Sequence, residues 1–227
     1  MGVNHSQRFN LKHSLAFERV DETEDEYFYS DPRLVVHVDD HFIATLGKYF
    51  AAHLPPQAQI LDLMSSYKSH LPADYKAAKV VGLGMNEAEL RANTQLTEYV
   101  VQNLNKEPKL PFPDASFEVV LNTVSVQYLT NPIEIFREAG RVLKPGGVYI
   151  VSFSNRMFPT KAVRIWRDLL ETGRVRLVQQ YFEEAGVFEP AELFEEVDAR
   201  HHSGSIFAQL FNAKDPVYIL SAKKRLM

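Results

Sequence analysis

The chain has no cysteine. That excludes a disulfide framework, a thiolate metal site and a cysteine nucleophile, and it fits a reducing compartment. It has no surplus of positive charge: 25 Lys and Arg stand against 29 Asp and Glu, for a formal net charge of −4. Such a balance leaves no electrostatic footprint for a nucleic-acid backbone, so no nucleic-acid partner is expected. No apolar run approaches the roughly 20 residues that span a bilayer, and no membrane partner is expected. Residues 1–30 are polar and acidic and carry no secretory signal, which makes the expected location cytoplasmic. Met1 to Ser6 fits the pattern for lipidation of Gly2, but that pattern is short and common. Glycine is scarce, with 10 residues. No Gly-x-Gly-x-x-Gly follows the first candidate strand, which disfavours a nicotinamide-dependent oxidoreductase; Gly82-x-Gly84 sits at the second and is misplaced.

What is present is a continuous script from Leu110 to Phe153. Pro113-Asp114-Ala115-Ser116 is turn chemistry. Phe117 to Val126 is an apolar run rich in Val, suited to a strand buried on both faces. Asn131-Pro132 marks a helix start, with Asn131 able to cap and Pro132 at the first helical position. Ile133, Phe136, Ala139, Gly140 and Leu143 recur at helical spacing. Pro145 cannot continue the helix, and Gly146-Gly147 supply backbone angles other residues resist. Val148 to Phe153 is the next strand. The three pieces read as a right-handed parallel unit of an α/β sheet.

The rest of the chain alternates in the same way. Val35 to Leu54 reads as a helix ended by Pro55-Pro56. Gln59–Leu63, Lys79–Leu83 and Glu98–Leu104 read as strands, with a helix over Glu87–Asn93. The alternation predicts a doubly wound, mostly parallel sheet. After Phe153 an amphipathic helix is expected over Thr160–Thr172, with Val163, Trp166 and Leu170 on its apolar side. Gln179–Ala185 follows as helix, then strands over Glu192–Asp198, Ile206–Phe211 and Pro216–Ala222.

The motif Leu110-Pro111-Phe112-Pro113-Asp114-Ala115-Ser116-Phe117, followed by Arg141-Val142-Leu143-Lys144-Pro145-Gly146-Gly147, resembles the class I S-adenosylmethionine-dependent methyltransferases, of the type-11 kind that acts on small molecules. The resemblance implies a Rossmann-like α/β fold with a seven-stranded sheet and helices on both faces. It implies one domain over 1–227: an N-terminal arm or lid (1–45), a cofactor-binding core (46–154), a helical substrate-side insertion (155–186) and terminal strands (187–227). Asp62-Leu63-Met64-Ser65-Ser66 and Ser69-His70-Leu71-Pro72 resemble a divergent branch that lacks the usual glycine-rich loop. Val81 to Asn86 and Ser152 to Lys161 extend that likeness over most of the chain.

The family's cofactor loop after its first strand is acid-x-Gly-x-Gly-x-Gly. Here the acid is Asp62, while Met64, Ser66 and Lys68 stand at the glycine positions. Ser65, Ser66 and Ser69 offer hydroxyls instead. The acid that usually grips the ribose aligns with Gly84, so Asn86 or Glu87 is the expected substitute, with a plain helix cap as the other reading of Asn86. Gly82 and Met85 belong to the same segment. Asn103 aligns with the group that meets the adenine amine, or is a solvated loop residue, and Leu104 would flank the ring. Thr123, Gln127 and Tyr128 lie where the family meets cofactor and substrate; Val124 reads as core. The cofactor-binding set implied is therefore Asp62, Met64, Ser65, Ser66, Gly82, Gly84, Met85, Asn86, Asn103, Leu104 and Thr123. The substrate set is Tyr29, Gln127, Asn155 and Arg156.

Methyl transfer needs alignment more than acid–base help. If the acceptor is a hydroxyl, His70, His201 or His202 could serve as base, and His70 lies nearest the cofactor loop. Arg156, Lys161 and Arg164 could bind an anionic acceptor, though Lys161 and Arg164 also read as a solvated helix face. Tyr27-Phe28-Tyr29 reads either as a lid or as packing of the arm. No metal site is expected. The expected function is methyl transfer from S-adenosylmethionine to a small-molecule acceptor. The alternative is a binding or regulatory protein on the same fold that has lost catalysis. The absence of an Asn/Asp-Pro-Pro-Tyr/Phe motif argues against nucleic-acid amines, and the absence of cysteine against thiolate-based arsenic methylation.

Overall fold

In the computed structural model the described residues are 8–13, 15–198 and 214–226. Among them the strands form one sheet in the order β3-β2-β1-β4-β5-β7-β6. These are β1 (Gln59–Leu63), β2 (Lys79–Gly84), β3 (Glu98–Val101), β4 (Phe117–Thr123), β5 (Leu143–Phe153), β6 (Glu192–Glu196) and β7 (Val217–Lys223). β1 to β5 run parallel; β7 is antiparallel to β5, and β6 to β7.

The central strands are apolar on both faces because helices cover both. Ile60, Val119 and Ile150 pack towards α2 (Asp40–His53) through Phe42, Leu46 and Phe50. Leu61, Val120 and Val151 pack in the other cluster, with α4 (Pro132–Val142) and α6 (Glu171–Ala185). Strand order reverses between β1 and β4, the place where such sheets open a crevice at their carboxyl ends. The Lys144-Pro145-Gly146-Gly147 stretch is taken up as an irregularity: Phe117 pairs with Leu143, yet Val119 pairs with Val148. Gly146, at φ +75°, makes the turn possible.

Several boundaries differ from expectation. α2 begins at Asp40, because the Asp39 side chain accepts from Phe42 N at 2.8 Å and caps it there. Val35 and Val36 stay outside the helix and line a cavity instead. The helix expected over Thr160–Thr172 is broken into α5 (Arg164–Asp168) and the start of α6, with Leu169 and Leu170 extended between them. Leu170 is exposed and so is not on an apolar face. α6 is a core helix: Val178, Tyr181 and Phe182 are buried against α4 and the sheet. The segment 155–186 therefore divides into a rim loop and a covering helix. Asn131 precedes α4 without a side-chain cap bond, so the start rests on Pro132 alone. The strand expected over Ile206–Phe211, His201, His202 and the Gly2 pattern lie outside the described residues. No helix among the described residues is long and apolar enough to cross a membrane.

Gln57, in the turn between α2 and β1, is exposed and left-handed at φ +52°. A Cβ at such an angle costs roughly 1–2 kcal/mol, and only part of this is returned as lost chain entropy when glycine replaces it. Gln57→Gly is expected to stabilise the protein by about 1 kcal/mol. A thermal melt that falls, or does not move, would contradict this.

Candidate functional site

The carboxyl ends of β1, β2 and β4 open onto one cavity of ≈ 260 Å³. Its floor is the loop after β1. Asp62 is buried there, and its Oδ2 accepts from Ser65 Oγ and Ser69 Oγ, both at 2.7 Å. Burial pushes its carboxyl up to about 6, against the pull of those two hydroxyls. Asn93 Nδ2 ties the loop down through Ser66 O at 2.9 Å and Ser69 Oγ at 3.0 Å. The loop keeps a glycine-like conformation without glycine: Met64, at the first glycine position, has φ +54°. His70 and Val124, also on the cavity wall, are left-handed at φ +57° and +53°. Non-glycine residues held this way tend to gather at functional sites, and a β-branched one is a true outlier.

The same loop explains the missing acid after β2. A Cβ on Gly84 would lie 2.2 Å from the Ser65 carbonyl oxygen. No side chain fits there while Ser65 N donates to Leu83 O at 2.8 Å. A carboxylate is supplied from elsewhere. Glu89, inside α3 (Glu87–Ala92), lines the cavity; its Oε2 accepts from Ser66 Oγ at 2.6 Å and its Oε1 from Arg33 N at 2.6 Å. Sequence reasoning named Glu87 instead. Glu87 faces outward to Arg91 and Tyr99.

The two asparagines have structural duties. Asn86 Oδ1 caps α3 through Ala88 N and Glu89 N, and its Nδ2 donates to Tyr29 O and Ser30 O. Asn103 Nδ2 donates to Glu26 Oε1 at 3.1 Å, and its Oδ1 accepts from Asn105 N at 2.9 Å. That bond from Asn103 is the main reason the Glu26 carboxyl lies below its ordinary range. Both residues line the cavity and at the same time fasten the N-terminal arm over it.

Of the other residues singled out in the sequence, Met85, Leu104, Thr123, Tyr29 and Arg156 also line the cavity. Gly82, Gln127 and Asn155 do not. Gly82 lies in the sheet, where a Cβ would strike Leu96 at 2.4 Å, so its role is packing. Gln127 is buried behind the wall, its Nε2 donating to Val124 O at 3.0 Å. Arg156 is paired with Asp215 at 2.8 Å. His70 is on the wall, its imidazole pushed down to about 4 by burial and by neighbouring Lys68 and His37. Burial pushes the Tyr29 and Tyr128 phenols up, so both stay protonated. The Tyr128 hydroxyl accepts from Phe158 N at 2.8 Å.

Sequence reasoning offered an arm or lid but missed the charges that fasten it. Lys161 is fully buried, not solvated: its Nζ donates to Thr23 O at 2.6 Å and lies 3.4 Å from both Asp21 and Asp25 carboxylates. Arg164 is the solvated one, paired with Asp168. Arg19, Asp25 and Lys161 form a buried charge cluster that docks α1 (Asp25–Phe28) onto the rim. Among the described residues no group of three or more His, Cys, Asp or Glu could hold a metal ion.

Residues 65–151 match the family model described as a methyltransferase domain. That span contains the floor loop from Ser65 onward, β2 to β4 and the Leu110 script up to Val151, and it leaves out Asp62 and Met64. The chain is 34% identical over 164 residues to a probable S-adenosylmethionine-dependent methyltransferase of Mycolicibacterium smegmatis, covering 65% of this chain and 60% of that one. Its match to similar proteins from Mycobacterium tuberculosis, at 29% identity, spans little more than half of their length, 53%. Among solved structures, a Haloferax volcanii putative methyltransferase, in complex with the Trm112 methyltransferase activator, aligns with TM-score 0.58 at 16% identity, over 82% of this chain and 92% of that one. A Pyrococcus horikoshii protein aligns with TM-score 0.57 at 20% identity, over 88% of this chain and 99% of its own. With the sheet order and the cavity at the reversal of strand order, the solved structures show that the chain has the α/β fold of methyltransferases, and its sequence is similar to S-adenosylmethionine-dependent methyltransferases over that core.

Proposed function

We propose that this protein transfers a methyl group from S-adenosylmethionine to a small-molecule acceptor. The observation that carries the reading is the floor loop: Met64, at the first of the family's glycine positions, is itself left-handed, a conformation that favours glycine, which supports a cofactor loop here. The residues beside it suit an adenosyl amino acid. Leu104 offers an apolar wall for the base, Glu89 a carboxylate for the ribose diol, and Ser66 a hydroxyl for the amino-acid end. When bound, the cofactor supplies an electrophilic methyl on a sulfonium. The chain's own part is alignment and exclusion of water, with the arm as roof; alignment alone is worth roughly 7–11 kcal/mol of barrier. A conjugate acid near 4 makes His70 a weak base, so it serves better as a polar wall than as a proton acceptor.

One observation favours the second reading, a non-catalytic relative. The Asn86 and Asn103 amides are already spent on the cap and the arm. Calorimetry with S-adenosylhomocysteine separates the possibilities. A single-site binding isotherm with a matching rise in melting temperature is expected. No heat and no thermal shift at millimolar ligand would end the methyltransferase reading; binding without turnover of any acceptor would favour the regulatory one.

A further inference from the structure

Apart from exposed Lys68, which lies over the Tyr67 ring, four Lys and Arg side chains line the cavity, and three of these are ion-paired. Arg19 binds Glu22 and Asp25, Lys161 binds Asp21 and Asp25, and Arg156 binds Asp215. The fourth, Arg33, faces no carboxylate within ion-pair distance among the described residues. Its guanidinium carbon lies 4.7 Å from the centre of the Phe28 ring, 5.4 Å from Phe158 and 5.6 Å from Tyr29. Nη2 donates to Phe28 O at 2.8 Å, while Nη1 is buried with no hydrogen-bond partner among the described residues. A buried, charged donor left unmade is costly and calls for a ligand. Three rings hold the plane fixed, as a bidentate fork needs.

We propose that Arg33 receives a carboxylate carried by the acceptor; the word acceptor rests on the methyl-transfer reading, the anion site does not. One charge fits better than two, because Asp62 and Glu89, which no Lys or Arg side chain pairs among the described residues, share the same wall and oppose a second negative charge. Val35, Val36 and Met157 lie along the wall as well and suit an apolar body. The ligand class is thus a monocarboxylate with an apolar body. The cofactor's own carboxylate is the competing source of the same chemistry.

The test uses the full chain, octanoate and 1-octanol, with and without saturating S-adenosylhomocysteine. Octanoate is expected to bind at least ten-fold tighter than octanol. Arg33→Met is expected to erase that preference and Arg33→Lys to keep part of it, since a point charge lacks the fork. S-Adenosylhomocysteine and 5′-methylthioadenosine, which lacks the carboxylate, should bind Arg33→Met within two-fold of the parent. Equal binding of octanoate and octanol to the parent protein overturns the proposal. So does an Arg33→Met protein that loses affinity for S-adenosylhomocysteine but not for methylthioadenosine, which would give Arg33 to the cofactor. Failure of S-adenosylhomocysteine to bind at all removes the methyl-transfer reading, and the octanoate comparison without it still decides the anion site. Should Arg33→Met not fold, the comparison on the parent protein decides alone.

Discussion

Asp62→Asn is expected to be more stable than the parent protein at pH 7.5 by about 2–3 kcal/mol, and no more stable at pH 4. The reason is the direction in which Asp62 is shifted. Its carboxyl rises from 3.8 to about 6 because burial disfavours the charged form. The folded state therefore holds the Asp62 proton more tightly than the unfolded state does. Stability from this group is fully present below about pH 4. It is lost as pH rises through 6, where the fold must carry an ionised carboxylate in a site only 3% exposed. Asparagine can still accept from Ser65 and Ser69 without that charge. Urea midpoints at pH 4 and pH 7.5 measure the difference; a gap that is equal at both would sink the argument. A residue retained at such cost is one whose charge is used, since stability and function commonly trade against each other at binding sites. Asp62→Asn is therefore expected to lose at least ten-fold in S-adenosylhomocysteine affinity at pH 7.5.

The scaffold was legible because its signals are local. Gln59–Leu63 reads as a strand from five residues and is one. The Leu110 script orders β4, α4 and β5 through turn chemistry and Pro punctuation that act within a few residues. The floor loop was legible in place but not in shape: nothing in Met64-Ser65-Ser66 announces a left-handed methionine, or a carbonyl that forbids a side chain at Gly84. Glu87 and Glu89 both follow the Asn86 cap, and two helical positions are about 200° apart. Only the packing of α3 on the sheet decides which carboxylate faces the cavity. The clasp of the roof was illegible for a different reason. Lys161 looks solvated until Asp21 and Thr23, 140 and 138 positions earlier in the chain, fold over it.

That distant contact makes Lys161→Met the substitution with the largest expected loss. Methionine preserves much of the stem volume, so the change isolates the charge. Removing one member of a buried ion pair costs about 3–5 kcal/mol, because its partner is left charged in a dry place. Here Asp25 keeps Arg19 and a bond from Asn105, so the expected loss is about 3 kcal/mol, at the low end of that range. The Thr23 and Asp21 carbonyls also lose their donor. The damage should centre on the arm, whose other clasps are the bonds at Asn86, Asn103 and Glu89. Limited proteolysis should then cut near residues 21–33 well below the urea concentration that unfolds the sheet. Lys161→Met combined with Asp25→Asn should cost less than the two changes summed, since neither then strands a charge opposite the other. A double variant that is fully additive would show that Lys161 and Asp25 do not act as a pair. Lys161 would then act on the roof through its bonds to backbone carbonyls and its pairing with Asp21.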